Sequence, residues 1–135
     1  MNNSCIFCSV TKGDIPSNTI MENDWTKSFL DIRPINPGHT LVIPKMHVNS
    51  IHDLNEENYL RLMESVRQIS SILHEKFTPR KVGIAIAGFD IEHLHIHVVP
   101  MYRYHDITSE KYLTGTILEA DPNSLKEIEE FIKSE

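Results

Sequence analysis

The stretch GFDIEHLHIHVVP, residues 88 to 100, places His93, His95 and His97 at alternate positions among Leu94, Ile96, Val98 and Val99, so that three of the chain's eight histidines fall within five residues. Alternation with period two is the signature of a β-strand, whose successive side chains point to opposite faces. The pattern predicts a strand with Leu94, Ile96 and Val98 in the core and the three imidazoles on the other face, neighbouring ones about 6.6 Å apart along the chain. Pro100 is expected to close it. A half-buried strand that happens to use histidine on its polar side would account for one such residue; three at strict spacing point to a chemical site.

The elements around this strand follow from local signals. "IPSNTIMENDWTKSFLDI" reads as two strands about the turn Glu22-Asn23-Asp24, and "PGHTLVIP" as a third, started by a Pro-Gly turn and stopped by Pro44. From Asn55 to Phe77 the period changes. Leu60, Met63, Val66, Ile69, Leu73 and Phe77 recur at three- and four-residue spacing, Asn55 suits a cap, Glu56 and Glu57 the first turn, and Pro79 lies just beyond the end, which predicts a long helix. "KVGIAIAG" reads as a strand that joins the histidine strand in an antiparallel hairpin across a few residues. Asp121 as N-cap, Pro122 at the first helical position and then Leu125, Ile128 and Phe131 predict a short C-terminal helix. "CIFCSV" is read only as a short apolar segment. The order of elements fits one α+β domain, an antiparallel sheet with a long helix packed on it.

With 135 residues the chain is long enough for one domain with a real core. A hydrophobic content of 40%, 24% charged residues and no apolar run of bilayer length exclude a membrane protein of the helical kind. The net charge of −6 argues against the basic surface that nucleic acid demands, while leaving room for a small anionic ligand held by local groups. "MNNSCIFCSVTKGD" lacks a basic segment followed by a long apolar one, so a cytoplasmic protein is expected. In a reducing compartment the pair Cys5 and Cys8, a CxxC, is more often a metal or redox pair than a structural disulfide.

Clustered imidazoles support two chemistries. They can hold one divalent metal with an open fourth position, as in catalytic zinc sites. Alternatively one imidazole attacks phosphorus or an acyl carbon while the others hold charge on the transferring group. Mutual repulsion disfavours full protonation of such a cluster, which favours a neutral attacking ring. Spacing alone leaves both open.

Taken together, "CIFC" near the start, "IP" at 15 to 16, "FLDIRPINPGHTLVIPKMH" from 29 to 47 and "HLHIHVV" from 93 to 99 resemble the histidine triad (HIT) family of nucleotide hydrolases and transferases, in particular its CxxC-containing bacterial-type members. The resemblance covers residues 5–103, the motif-bearing core of a domain expected to span 1–135, and leaves the tail 104–135 outside. It implies a HIT-like antiparallel sheet of about five strands with one long helix and a short C-terminal one. It also implies a purine nucleotide derivative as small-molecule substrate, such as a phosphoramidate, a dinucleoside polyphosphate or an adenylated amine. His95, the middle histidine, would be the nucleophile toward the α-phosphorus and form a nucleotidyl-histidine that water resolves. His97 would bond the transferring phosphate or its bridging atom, His93 would support the site, and His39 would lie beside the phosphates. Asp31 matches the acidic residue that accepts hydrogen bonds from the ribose hydroxyls. Ile32, Phe7, Val10, Ile15 and Phe29 occupy positions that line the base pocket in relatives, although apolar residues on strands are as often plain core.

By the same resemblance Cys5, Cys8, His47 and His93 form a structural zinc site, a donor set chemically suited to that ion, with no organic cofactor. A homodimer through the long helix and a neighbouring strand is implied too. Two positions depart from the pattern. Many relatives carry an asparagine on the strand before the triad and a Gly-Gln followed by Ser or Thr in the loop; here Phe89 stands in place of the Gln and Asp90 in place of the Ser or Thr. Phe cannot donate to an oxyanion and a negative Asp90 repels a phosphate. Two alternatives to the hydrolase follow: a catalytically weak nucleotide- or partner-binding HIT protein, and a metalloenzyme with zinc on the triad itself.

Overall fold

The structure, a computed structural model, describes residues 5–108 and 117–135; residues 1–4 of the N-terminal stretch and 109–116 of the tail lie outside the described residues. Five strands form one antiparallel sheet in the order β1-β2-β3-β5-β4. They are β1 (Thr19–Glu22), β2 (Thr26–Leu30), β3 (Thr40–Pro44), β4 (Lys81–Ala85) and β5 (Ile96–Met101), accompanied by α1 (Ile6–Lys12), α2 (Glu56–Phe77) and α3 (Pro122–Lys133). The expected α+β architecture, long helix and C-terminal helix included, is what the chain adopts. Among the described residues no helix is long and apolar enough to cross a membrane.

The local reasons are those of the sequence. Asn23 Oδ1 accepts from the backbone N–H groups of Trp25 and Thr26, both at 2.8 Å, which closes the β1–β2 turn. Asn55 caps α2 by accepting from Asn58 N at 2.8 Å. Asp121 caps α3 through Ser124 N, with Pro122 in the first turn. α1 is a helix that periodicity did not reveal: it spans only seven residues, two turns, too short for a repeat to register. Its cap is the sulfur of Cys5, which accepts from Cys8 N at 3.3 Å, and it stops at Gly13, whose φ of 83° is left-handed and suits glycine.

The central strands β2, β3 and most of β5 are buried on both faces, and alternation sorts their side chains into two cores. On one face Val42, Leu94, Ile96 and Val98 pack with Leu62, Val66, Ile69 and Leu73 of α2. On the other, Phe29, Leu41 and Ile43 meet Phe7 and Val10 of α1. Leu62 is fully buried, so Leu62→Ala is expected to cost about 2–5 kcal/mol of stability through lost burial and a residual cavity. Urea unfolding measures it, and a loss below about 1 kcal/mol would place Leu62 outside the rigid core.

Two expectations about the histidine strand are corrected. Pro100 does not close β5, which continues to Met101. It sits opposite Val82 of β4, while pairing with β3 runs only to Val98; beyond that point no β3 carbonyl waits for the N–H that proline lacks. Nor is the β4–β5 connection a matter of a few residues. β4 ends at Ala85 and β5 begins at Ile96, so "IAGFDIEHLH" is a long loop, and His93 and His95 precede the paired strand. The alternation of faces nonetheless survives, with Leu94 N bonded to Val48 O at 2.7 Å in the loop after β3 rather than to the ladder.

Candidate active site and metal centre

The face of the sheet opposite α2 gathers His39, at the start of β3, with His93, His95 and His97. All four are buried, at 1%, 0%, 1% and 5% exposure, so this is an interior site, not the polar outer face of a strand. Phe7 of α1 packs edge-on against His95 at 5.2 Å and His93 at 6.0 Å between ring centroids.

Hydrogen bonds fix which nitrogen of each ring carries its proton. The amide of Ile35 donates to His39 Nδ1 at 3.0 Å, so the proton of neutral His39 is on Nε2. That nitrogen lies 2.9 Å from His97 Nδ1 and donates to it, which places the proton of His97 on its own Nε2. Burial first, and then the neighbouring imidazole, hold His39 down at about 3 and His97 at about 4, so both are neutral near pH 7. The carbonyl of His93 lies 2.7 Å from His95 Nδ1 and must accept; the lone pair of neutral His95 is therefore on Nε2. Among the described residues the buried side-chain polar atoms without a hydrogen-bond partner are Ser28 Oγ and this Nε2. Asp90 Oδ1 faces it at 3.4 Å.

Asp31 lies beside the pair of neutral rings, its Oδ2 3.5 Å from His39 Nε2 and its Oδ1 accepting from Arg33 N at 2.9 Å. Burial raises its carboxyl to about 6. The loop that carries Asp31 and His39 is tied down by Asn36, which donates to Pro100 O at 2.8 Å and Asp106 Oδ2 at 3.1 Å. Asp106 in turn accepts from the amides of Tyr102 and Arg103. Ala120 N donates to Ile32 O at 2.7 Å, so the segment leading into α3 braces the same loop. Asn36 and Asp106 are the residues that sequence reasoning did not place at the site; "INPGH" marks a turn but not what the turn holds.

The expected base-pocket residues divide. Phe7, Val10 and Phe29 belong to the small core with Ile15 packed against it, and Phe7 meets Phe29 at 5.5 Å between centroids. Ile32 is 51% exposed next to Asp31.

A second cluster adjoins the first. Cys5, Cys8, His47 and His93 present one ligand atom each, all within 4.8 Å of one another. The sulfur-to-nitrogen distances are 3.4 Å from Cys5 and 3.5 Å from Cys8 to His93 Nδ1, and 3.2 Å from Cys8 to His47 Nδ1. Tetrahedral zinc at its usual bond lengths separates such atoms by about 3.5 Å, so the four fit. His93 Nε2 donates to Pro44 O at 2.8 Å, which leaves Nδ1 as a ligand toward the sulfurs, the outer-shell arrangement metal-bound histidines use. Asp31, His39 and His97 also lie close together, but there the tautomers oppose metal binding: His39 accepts a backbone N–H on Nδ1, so its Nε2 carries a proton and has no lone pair to give.

Acid should destabilise this arrangement. In the unfolded chain His39 and His97 take up protons below the ordinary histidine value of 6.5, whereas folded they resist until about 3 and 4. Asp31 does the opposite, protonating at about 6 when folded and at 3.8 otherwise. Between pH 6 and 4 these three groups thus bind about one proton more in the unfolded state, and their contribution to stability is expected to fall by about 1.4 kcal/mol per pH unit as pH drops. Urea midpoints from pH 7.5 to 4.5 test this; a midpoint that rises toward acid contradicts the neutral pair.

Fold and site together define a histidine-triad protein, and comparison agrees. The HIT domain family model matches residues 12–104. An adenosine 5'-monophosphoramidase of Schizosaccharomyces pombe is 33% identical over 126 residues, 93% of this chain and 90% of that protein. The crystal structure of a HIT-like protein from Bartonella henselae superposes with a TM-score of 0.83 at 26% identity, covering 98% of this chain and 97% of that one. A zinc-bound histidine triad family protein from Mycobacterium smegmatis gives a TM-score of 0.78 at 31% identity, covering 96% and 91%. The chain belongs to the HIT family.

Proposed function

We propose that the protein is a hydrolase or nucleotidyl transferase acting at the α-phosphate of a purine nucleotide derivative through a covalent bond to His95. The observation that carries this reading is His95 Nε2, buried, without a hydrogen-bond partner and left with the lone pair by the bond from Nδ1 to His93 O. Nε2 attacks phosphorus as the bond to the leaving nitrogen or oxygen breaks, and the leaving atom departs with the electron pair and gains a proton. Water then attacks the same phosphorus, returns the electron pair to Nε2 and releases the nucleoside monophosphate. His97, with its proton on Nε2, donates to the phosphate or bridging oxygen; His39 holds that tautomer. Asp31 accepts from the ribose hydroxyls, with Ile32, Phe7, Ile15 and Phe29 beside the base.

Cys5, Cys8, His47 and His93 would hold zinc, which supplies a cross-link between α1, the loop after β3 and the triad. The fit of the donor set supports this, as does the zinc-bound relative. The reading takes residues 1–135 as one domain of a cytoplasmic homodimer, with no organic cofactor and neither nucleic acid nor membrane as partner. The exposed Ile84 and Ile86 on and beside the edge strand β4 give a partner chain an apolar strip. Asp90 at 3.4 Å from the attacking atom favours the second reading, a binding protein of weak activity.

The discriminating experiment incubates the protein with adenosine phosphoramidates and dinucleotides, quenches in neutral denaturant and searches by mass spectrometry for an adenylated His95 peptide. Adenylation of that peptide with release of AMP supports the hydrolase. Tight nucleotide binding with neither product nor adduct selects the binding protein.

A further inference from the structure

The attacking nitrogen faces a carboxylate. Asp90 Oδ1 lies 3.4 Å from His95 Nε2, across the approach a phosphorus atom must take. Its position is held locally: Oδ1 accepts the N–H of Ile91 at 3.0 Å, and among the described residues nothing bonds Oδ2. The side chain is 67% exposed, so it can swing aside, and the preceding Gly88, at φ 85°, carries the backbone through a left-handed bend with no atom within 4 Å of where a Cβ would stand. Phe89, between them, is 100% exposed.

The charges nearby do not favour an anion. His39 and His97 are neutral, and beside them lies a second carboxyl, Asp31, which senses the positive charge of Arg33 and the negative charge of Asp90. A phosphate delivered alone to Nε2 meets the repulsion of Asp90, whose Oδ1 is 3.4 Å from the attacking atom. A substrate whose departing portion is itself cationic changes this balance: Asp90 leaves Nε2 to meet the positive charge, and the open ring of Phe89 offers it a π-face.

Resting on the reading of His95 as nucleophile, we propose that Asp90 and Phe89 form a leaving-group subsite that selects substrates whose leaving group carries a positive charge, such as an amine bearing a second, ammonium centre. Nucleotide and triad then supply the reaction, and the loop 88–90 supplies the choice among leaving groups. Neither residue takes part in bond making; both touch the portion of the substrate that departs.

The test uses two adenosine 5'-phosphoramidates alike except at the far end of the leaving amine, one ending in trimethylammonium and the other in the neutral isostere tert-butyl. Wild-type protein should prefer the cationic member in kcat/KM by about tenfold or more at low salt, and the preference should shrink as salt rises. Asp90→Asn should bring the ratio near one, and Phe89→Leu, which keeps bulk without the π-face, should lower it about threefold. A role confined to loop structure would change both substrates alike and leave the ratio intact. Equal turnover of the pair by wild type, or a preference that survives Asp90→Asn, overturns the proposal while leaving the His95 reading standing. Turnover of both by His95→Asn at the wild-type rate defeats that reading instead.

Discussion

Replacing His95 by asparagine is expected to lower kcat on an adenosine phosphoramidate by on the order of 10⁴-fold or more, because loss of a covalent nucleophile removes the pathway and not merely a contact. Asparagine suits the test for a structural reason. Its amide can still donate to His93 O, the partner of Nδ1 at 2.7 Å, while nothing replaces Nε2. The cavity of this fully enclosed ring is partly filled, so the fold should persist and nucleotide binding should change little, as titration calorimetry would register. Loss of kcat with retained binding is the signature of a group used in the chemical step. Hydrolysis that continues undiminished would remove His95 from the mechanism.

Cys8→Ser is expected to have the second largest effect, on stability. Each purified wild-type chain should carry about one zinc by elemental analysis, and the variant little. Burial, together with the hydrogen bond and charge of Cys5, raises the Cys8 thiol above its ordinary range, so without an ion Cys8 stays protonated, and metal binding would release its proton. Structural zinc in small peptides is worth about 10–16 kcal/mol; here the sheet and α2 have their own core, so the expected loss is a few kcal/mol, or a fall in Tm of about 10 °C or more. Catalysis should be weakened rather than erased, because the ligand set meets the nucleophile indirectly, through the carbonyl of His93 and the ring of Phe7 packed on both histidines. Chelation that ends activity without shifting Tm would instead place the metal among the reacting groups.

Much of this molecule was legible before its coordinates. Alternation at 93–99 separated two faces that the structure keeps apart: Leu94, Ile96 and Val98 against α2, imidazoles against Phe7. The period of α2 and the caps Asn55 and Asp121 were readable because they are local signals of known chemistry. α1 was not, since a seven-residue helix capped by a cysteine sulfur offers neither a period nor a usual cap residue. The boundary of β5 was misjudged for a related reason: alternating apolar residues look alike whether the backbone pairs with a strand or a loop, and the partner of Leu94 is the loop at Val48. Most of the site lies beyond local reading. That His39 would meet His97 across 58 residues, or Asn36 meet Asp106 across 70, depends on how β3 and β5 pair. Which nitrogen faces which partner depends on atoms no spacing rule describes.

The bond from the Ile35 amide to His39 fixes a polarity that no side chain sets. In many hydrolytic sites the ring that assists the nucleophile is oriented by a carboxylate, whose influence ends once acid protonates it. Here the orienting group is a peptide N–H, which neither gains nor loses a proton at any pH a protein survives. While both rings are neutral, the direction of the His39–His97 couple is thus written into the main chain, beyond the reach of any substitution at position 35 except proline.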